Sequence, residues 1–289
     1  MSQKLFFVVN PISGGRDKDE VMNTIKQWCK SSDVECHFWK TTGKDDVSKL
    51  QDELASTAVD KVIAIGGDGT LMLCAQALLH KDMLLGFIPN GSANGMAAEL
   101  KLPEDTEGLL ELMVSGKYIE ADMICFNGTD YSLHISDIGL NARLVKHFEE
   151  DGTRGFLGYA KGAIRELSQL EKFEVTLYFN EQQVNEQAYM VAFGNGKRYG
   201  TGALLNNKGK LNDGLFEVCV LREFSPIGLA GHLWNYIDEN ADHMKVYQTN
   251  HLKLKTHKAV PFQIDGELKN DITELELTIE PACVKLITP

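Results

Sequence analysis

The first 120 or so residues alternate between short apolar runs and amphipathic stretches. Leu5 to Val9 and Val62-Ile63-Ala64-Ile65 are continuous hydrophobic runs, the pattern of parallel strands covered on both faces. Between them, Lys18 to Lys30 sets Val21, Ile25 and Trp28 on one helical face, Glu35 to Trp39 reads as a strand, and Asp45 to Ala55 as a second helix. Leu71 to Leu79 continues a third helix, and Leu84 to Ile88 predicts another strand. This order implies a layered α/β domain with a mainly parallel sheet.

The pattern changes near Tyr118 to Met123. Beyond it, strand-like stretches dominate: Tyr131 to Ile135, Glu174 to Phe179, Ala188 to Phe193, Leu215 to Leu221, His251 to Thr256, Phe262 to Ile264 and Leu275 to Ile279. Helices are predicted at Gly158 to Leu170 and Ser225 to Ile237. Short strands with Asn, Gly and Asp turns predict an antiparallel, β-rich, sandwich-like second domain. The expected division is an α/β domain over 1–123, a β-rich domain over 124–280, and a tail, 281–289, that packs back on the first.

A chain of 289 residues can bury a large core. A net charge of -12 argues against general nucleic-acid binding and against a standing electrostatic anchor on an anionic membrane. The six cysteines are scattered, with no CxxC pair, and read as reduced structural thiols of a cytoplasmic protein. The residues before the first strand are too few for a signal peptide, and no run is long enough to span a bilayer.

Candidate chemistry sits in the turns. Gly66-Gly67-Asp68-Gly69-Thr70 follows an apolar strand directly; its glycines let the backbone turn sharply and approach a ligand, and free N–H groups at a helix start attract phosphate. Thr70 is expected to open the helix, and Asp68 to organise the loop or act through a cation. Asn10 to Arg16 and Pro89 to Gly95 are turns at the same carboxyl edge, where open α/β sheets bind ligands. Asn94 is expected to hold its own loop, and Arg16 to be an exposed first-turn residue or a phosphate contact. Asp265-Gly266-Glu267 alone reads as a hairpin turn, and Asn212-Asp213-Gly214 as a turn before a strand. His134 and His147 show no ligand spacing.

Taken together, Asn10-Pro11-x-Ser13-Gly14, GGDGT at 66–70, Pro89-x-Gly91-Ser92-x-Asn94, Asn212-Asp213-Gly214 and Asp265-Gly266-Glu267 resemble the diacylglycerol kinase catalytic family. That family includes bacterial lipid kinases and ceramide and sphingosine kinases. The resemblance implies ATP-dependent phosphorylation of a lipid hydroxyl, with the nucleotide in a cleft between the two domains. It also implies transient peripheral contact with a membrane carrying the lipid alcohol, and a homodimer is compatible with it. It makes Asp265 the general base and Glu267 its supporting or metal-organising carboxylate. It assigns ATP binding to Asn10, Thr41 (with Thr42 adjacent), Gly66, Gly67, Asp68, Gly69, Thr70 and Ser92. A structural Mg2+ falls to Asp213 with the carbonyls of Lys210 and Leu215. Asp122 matches a position of the metal network, and otherwise reads as a solvated strand-edge residue.

The chain departs from the family in two places. Leu71-Met72-Leu73-Cys74 stands where the family has an Asn-Glu pair, and Gly95 stands where it has Asp. Two other readings compete: an NAD kinase, a related fold that also uses GGDGT, and a non-catalytic nucleotide- or lipid-binding protein, which Leu73 and Gly95 motivate. An apolar access surface for lipid could come from Phe156-Leu157-Gly158-Tyr159 or Leu229 to Trp234, for both of which core packing is the plainer explanation.

Overall fold

A computed structural model describes residues 2–11, 18–91, 94–140, 142–143, 171–180, 182–199, 203–204, 209–223 and 243–289. Ser92, Arg16, His147, the helices expected at Gly158 to Leu170 and Ser225 to Ile237, and both candidate access surfaces lie outside these residues. The chain forms two compact units, Met1–Asp122 with Pro281–Pro289, and Met123–Glu280.

The first unit is a parallel sheet flanked by helices. Strands β1 (Lys4–Val9), β2 (Glu35–Lys40), β3 (Lys61–Gly66) and β4 (Leu84–Pro89) run in the order β2-β1-β3-β4. The C-terminal part of a long strand, β18 (Ile272–Thr288), lies parallel beside β4, with Lys285 opposite Leu84. β3 is buried at every position and β1 at all but Lys4, which is why both read as unbroken apolar runs. β2 is the edge strand, and its burial alternates.

Two helices, α1 (Lys18–Ser31) and α5 (Thr106–Ser115), bring Met22, Ile25, Leu109, Leu110 and Met113 to a core with Leu5, Phe7, Ile63 and Ile65. Asp105 caps α5 by accepting the Gly108 N–H at 2.7 Å. The buried Lys61 ammonium closes its other end, donating to the Met113 and Val114 carbonyls at 2.8 and 2.6 Å. Helix α2 (Asp46–Ser56) packs against α3 (Asp68–Ala77), which is buried on most of its surface.

In the second unit, β7 (Ile135–Gly139), β10 (Met190–Gly194), β13 (Phe216–Leu221), β14 (Met244–Thr249), β16 (Phe262–Ile264) and β17 (Glu267–Leu268) form an antiparallel sheet in the order β14-β13-β10-β7-β16-β17. A second antiparallel set joins the first part of β18 to β15 (His251–Val260), β8 (Phe173–Phe179) and β9 (Gln182–Ala188). Val191, Phe193, Phe216 and Val218 from the first set pack with Leu177, Leu254 and Leu277 from the second, giving one apolar layer between sheets. The fold class is the expected one.

Several local expectations need correction. Tyr131 to Ile135 is not one strand: β6 (Asp130–Ser132) stops and β7 begins only at Ile135, because the intervening N–H groups bond to a side chain. Ala188 to Phe193 is likewise two strands, β9 and β10, separated at Tyr189. β9 and β14 were not expected; β9 is largely polar and exposed, and among the described strands of its sheet pairs with β8 alone. Cys29 and Cys36, expected as separate thiols, form a disulfide with Cα atoms 6.5 Å apart. The other four cysteines are buried and stand outside any disulfide. Asp122 is buried rather than solvated, and its carboxylate accepts the Ala282 N–H at 2.8 Å, where Ala282 adopts a φ of 50°. No described helix is long and apolar enough to cross a membrane.

Candidate active site

In the first unit, the candidate nucleotide residues line the carboxyl edge of adjacent parallel strands. The Asn10 N–H donates to the Ile65 carbonyl at 3.2 Å, Thr41 to Val9 at 2.9 Å, and Asn90 to Gly66 at 2.6 Å. The turns after β1, β2, β3 and β4 are thus stitched into a single rim.

α3 starts directly after β3. Its first residue is Asp68 and its cap is Gly67, so Thr70 lies inside the first turn instead of opening the helix. Thr70 is buried and its side chain lies over Gly66, where a Cβ would fall 2.2 Å from the hydroxyl oxygen. Asp68 spends both carboxylate oxygens on the neighbouring helix α4 (Gly95–Glu99), accepting the Gly95 N–H at 2.7 Å and the Met96 N–H at 3.1 Å. Asn94 holds its own turn: Oδ1 accepts the Gly91 N–H and Nδ2 donates to the Gly91 carbonyl, both at 2.9 Å. The two glycine turns touch back to back, since a Cβ on Gly91 would lie 2.5 Å from the Gly67 Cα. A Cβ on Gly69 would meet nothing within 4 Å.

Thr41 and Thr42 are separated by what each does. Thr42 is occupied: its N–H and hydroxyl donate to Asp46 Oδ1 at 2.9 and 2.7 Å, and the Gly43 N–H donates to Oδ2 at 2.7 Å. Burial raises the Asp46 pKa, but these donors outweigh it and hold the carboxyl below its usual range. Thr41 keeps only a backbone bond to the rim among those described.

In the second unit, Asp265 and Gly266 form the two-residue turn between β16 and β17, with φ of 45° and 88° and Ile264 paired to Glu267. Both signs match the turn that suits a twisted hairpin. The Asp265 carboxylate reaches back to the gap between β6 and β7. Oδ1 accepts the Ser132 hydroxyl at 2.8 Å, the Ile135 N–H at 2.9 Å and the His134 N–H at 3.3 Å; Oδ2 accepts the Leu133 N–H at 3.0 Å. Oδ1 is saturated, whereas Oδ2 retains an acceptor direction. Burial lifts the Asp265 pKa above the usual carboxylate range, opposed by His134 and by these donors.

Sequence reasoning missed the frame behind this turn. Gln263 accepts the Gly266 N–H at 2.6 Å and donates its amide to Asp137, and Asp137 accepts the Ala142 N–H at 2.9 Å. Asn195 fixes the other side, its N–H donating to the His134 carbonyl at 2.9 Å and its side-chain amide to Leu133 at 3.4 Å. Gln263 and Asp137 are polar residues inside short apolar strands, and that incongruity was the available signal. Glu267 is exposed at the start of β17.

Lys210, Asp213 and Leu215 share one turn. Asp213 is exposed and its Oδ1 accepts the Leu215 N–H at 3.2 Å, with Gly214 at a φ of 72°. One carboxylate with neighbouring backbone carbonyls is an all-oxygen donor set, which fits a hard divalent ion that retains several waters. Among the described residues, no three His, Cys, Asp or Glu side chains cluster as a metal site.

Residues 4–126 match the model for the diacylglycerol kinase catalytic domain, and residues 135–288 match that for the YegS C-terminal NAD kinase beta sandwich-like domain. The "probable lipid kinase YegS-like" proteins of Yersinia pestis (strain Pestoides F) and Yersinia pseudotuberculosis serotype O:1b (strain IP 31758) are each 28% identical over 208 residues, 70% of either chain. A crystal structure of a diacylglycerol kinase from Bacillus anthracis str. Sterne superposes with a TM-score of 0.76 at 20% identity, covering 99% of this chain and 97% of that one. At that identity the superposition concerns the fold alone.

Proposed function

We propose, starting from the fact that the chain belongs to the lipid kinase family joining a diacylglycerol kinase catalytic domain to a YegS-type C-terminal domain, that it moves the γ-phosphate of ATP to the hydroxyl of a diacylglycerol-like or sphingoid lipid. The observation that carries this reading is the Asp265 carboxylate, fixed by four donors with an acceptor direction left on Oδ2. A general base needs that combination of fixed position and spare lone pair.

In this scheme Oδ2 takes the proton of the acceptor hydroxyl, the oxygen bonds to the γ-phosphorus, and the bond from phosphorus to the β–γ bridging oxygen breaks to release ADP. Backbone N–H groups at the start of α3, residues 67–69, would hold the phosphates, and Asn10 and Thr41 the rest of the nucleotide; the N–H groups of Asn90, Gly91 and Gly95 are spent on holding the rim together. Asp68 acts indirectly, by tying α4 to the first turn of α3. Glu267, exposed beside the base, supports it electrostatically. Bound Mg2+ would offset phosphate charge, and Asp213 with the carbonyls of Lys210 and Leu215 would hold a structural ion.

The C-terminal model's NAD kinase description favours one second reading, phosphorylation of NAD. Transfer from γ-labelled ATP to a panel of a diacylglycerol, a monoacylglycerol, a sphingoid base and NAD separates them. We expect label in a lipid, and a kcat lower by about a thousandfold in Asp265→Asn, the scale of a general base. Label in NADP, or an Asp265→Asn variant as fast as wild type, refutes the assignment.

A further inference from the structure

We infer that His134 is a specificity-determining residue of the acceptor site, its Nε2 hydrogen-bonding a second polar atom of the lipid next to the hydroxyl presented to Asp265. This inference rests on the assignment of Asp265 as the base.

The backbone of His134 is fully engaged. Its N–H donates to Asp265 Oδ1 at 3.3 Å and its carbonyl accepts the Asn195 N–H at 2.9 Å. The imidazole is buried, with the residue 7% exposed, yet among the described residues Nε2 has no hydrogen-bond partner. Whichever tautomer is present, that atom is an unmet donor or an unmet acceptor. Folded proteins rarely leave such an atom unmatched, and those that persist call for a functional partner.

Its surroundings indicate which partner. The ring lies within electrostatic reach of the Asp265 carboxylate, opposing the effect of burial on it. The same short segment, Ser132 to Ile135, supplies all four donors to that carboxylate. A ligand hydroxyl bonded to Oδ2 therefore brings its neighbouring atoms to the segment that carries the unmatched nitrogen. A diacylglycerol offers an ester oxygen there and a sphingoid base an amine or second hydroxyl; a plain long-chain alcohol offers nothing.

The test compares wild type with His134→Phe, which keeps a buried ring and removes the nitrogen, and His134→Gln, whose side-chain amide can reach the Nε2 position. KM and kcat are measured with ATP against the lipid that wild type uses best and against a long-chain alcohol, all in detergent micelles, with melting temperatures taken in parallel. His134→Phe is expected to melt no lower than wild type, since it removes an unmatched buried polar atom. Its KM for the lipid should rise about tenfold with the KM for ATP unchanged, its preference over the plain alcohol should vanish, and His134→Gln should restore part of both. Wild-type KM and preference in a folded His134→Phe, while Asp265→Asn is inactive, overturn this inference alone. If His134→Phe fails to fold, equal loss of lipid affinity in His134→Gln and a fourth variant, His134→Leu, overturns it. An active Asp265→Asn overturns the base assignment instead, and wild type that labels no lipid overturns both.

Discussion

Two glycines of the candidate nucleotide rim should respond in opposite ways to the same methyl group. In Gly91→Ala, the new Cβ would lie 2.5 Å from the Gly67 Cα, 2.9 Å from Asn94 Oδ1 and 3.1 Å from the Gly67 nitrogen. Carbon atoms need about 3.5–4.0 Å, so roughly 1 Å must come from moving two turns apart. Both are pinned, by the 2.6 Å bond from Asn90 to the Gly66 carbonyl and by the two Asn94 bonds to Gly91. The cost should be about 1–3 kcal/mol, with loss of ATP binding as the turns separate. In Gly69→Ala the Cβ meets nothing within 4 Å and the position is the second residue of α3, so helix propensity should add about 0.5–1 kcal/mol. If that open space is where phosphate approaches, the stabilised variant should bind ATP at least tenfold more weakly. Thermal melting and calorimetric ATP titration read both effects. A Gly69→Ala protein that melts higher and binds ATP normally would show that the space is only solvent, and wild-type stability in Gly91→Ala would refute the close packing.

Two further outcomes follow from buried charge. Burial raises the Glu186 pKa, but Arg222, at 2.8 Å through Nε, and the Tyr247 hydroxyl at 2.6 Å outweigh it and hold the carboxyl below its usual range. Its folded pKa is therefore depressed, so the stabilisation is present above about pH 4.5 and is lost as pH falls through the lower folded value. Glu186→Gln should cost about 2 kcal/mol at neutral pH and flatten that acid limb in denaturant melts; an unchanged limb would exclude Glu186 as its source. In the frame behind Asp265, Gln263→Leu leaves Asp137 buried without its amide donor and frees the Gly266 N–H. A cycle with Asp137→Leu should give a coupling of about 1–3 kcal/mol in urea melts, and strict additivity would dissolve the frame.

The α/β half was legible because its information is periodic and local. Runs such as Val62 to Ile65 are apolar throughout since both faces are covered, and the strand-to-helix turns announce themselves by glycine. β9 was not legible, because Gln182 to Ala188 is a polar strand whose pairing is set by Phe173 to Phe179 across a turn and not by its own pattern. The break at Leu133 and His134 was invisible for a related reason. Its cause is a carboxylate more than 130 residues away in sequence, and backbone N–H groups carry no sequence signature. The pairing of Cys29 with Cys36, seven residues apart, depends on α1 running into β2 and likewise has no motif. The roles of Thr41 and Thr42 became distinct only once Asp46 was seen to take the second.

A hairpin and a catalytic turn looked like alternatives at Asp265-Gly266, yet under the proposed function one is the means of the other. Asp265 sits at a φ of 45°, a region that costs a non-glycine residue on the order of 1 kcal/mol or more, least for Asp and Asn. Hydrogen bonds to a charged group contribute about 1.5–3 kcal/mol each, so the bonds from Ser132, Leu133 and Ile135 are together ample to hold that conformation. The tight turn fixes where the side chain begins, the broken strand fixes where it ends, and three of the four donors crowd onto Oδ1. That asymmetry leaves Oδ2 as the oxygen with an open acceptor direction, the one a substrate hydroxyl would use under the proposed assignment. A longer loop could carry the same carboxylate, but it would not by itself distinguish its two oxygens.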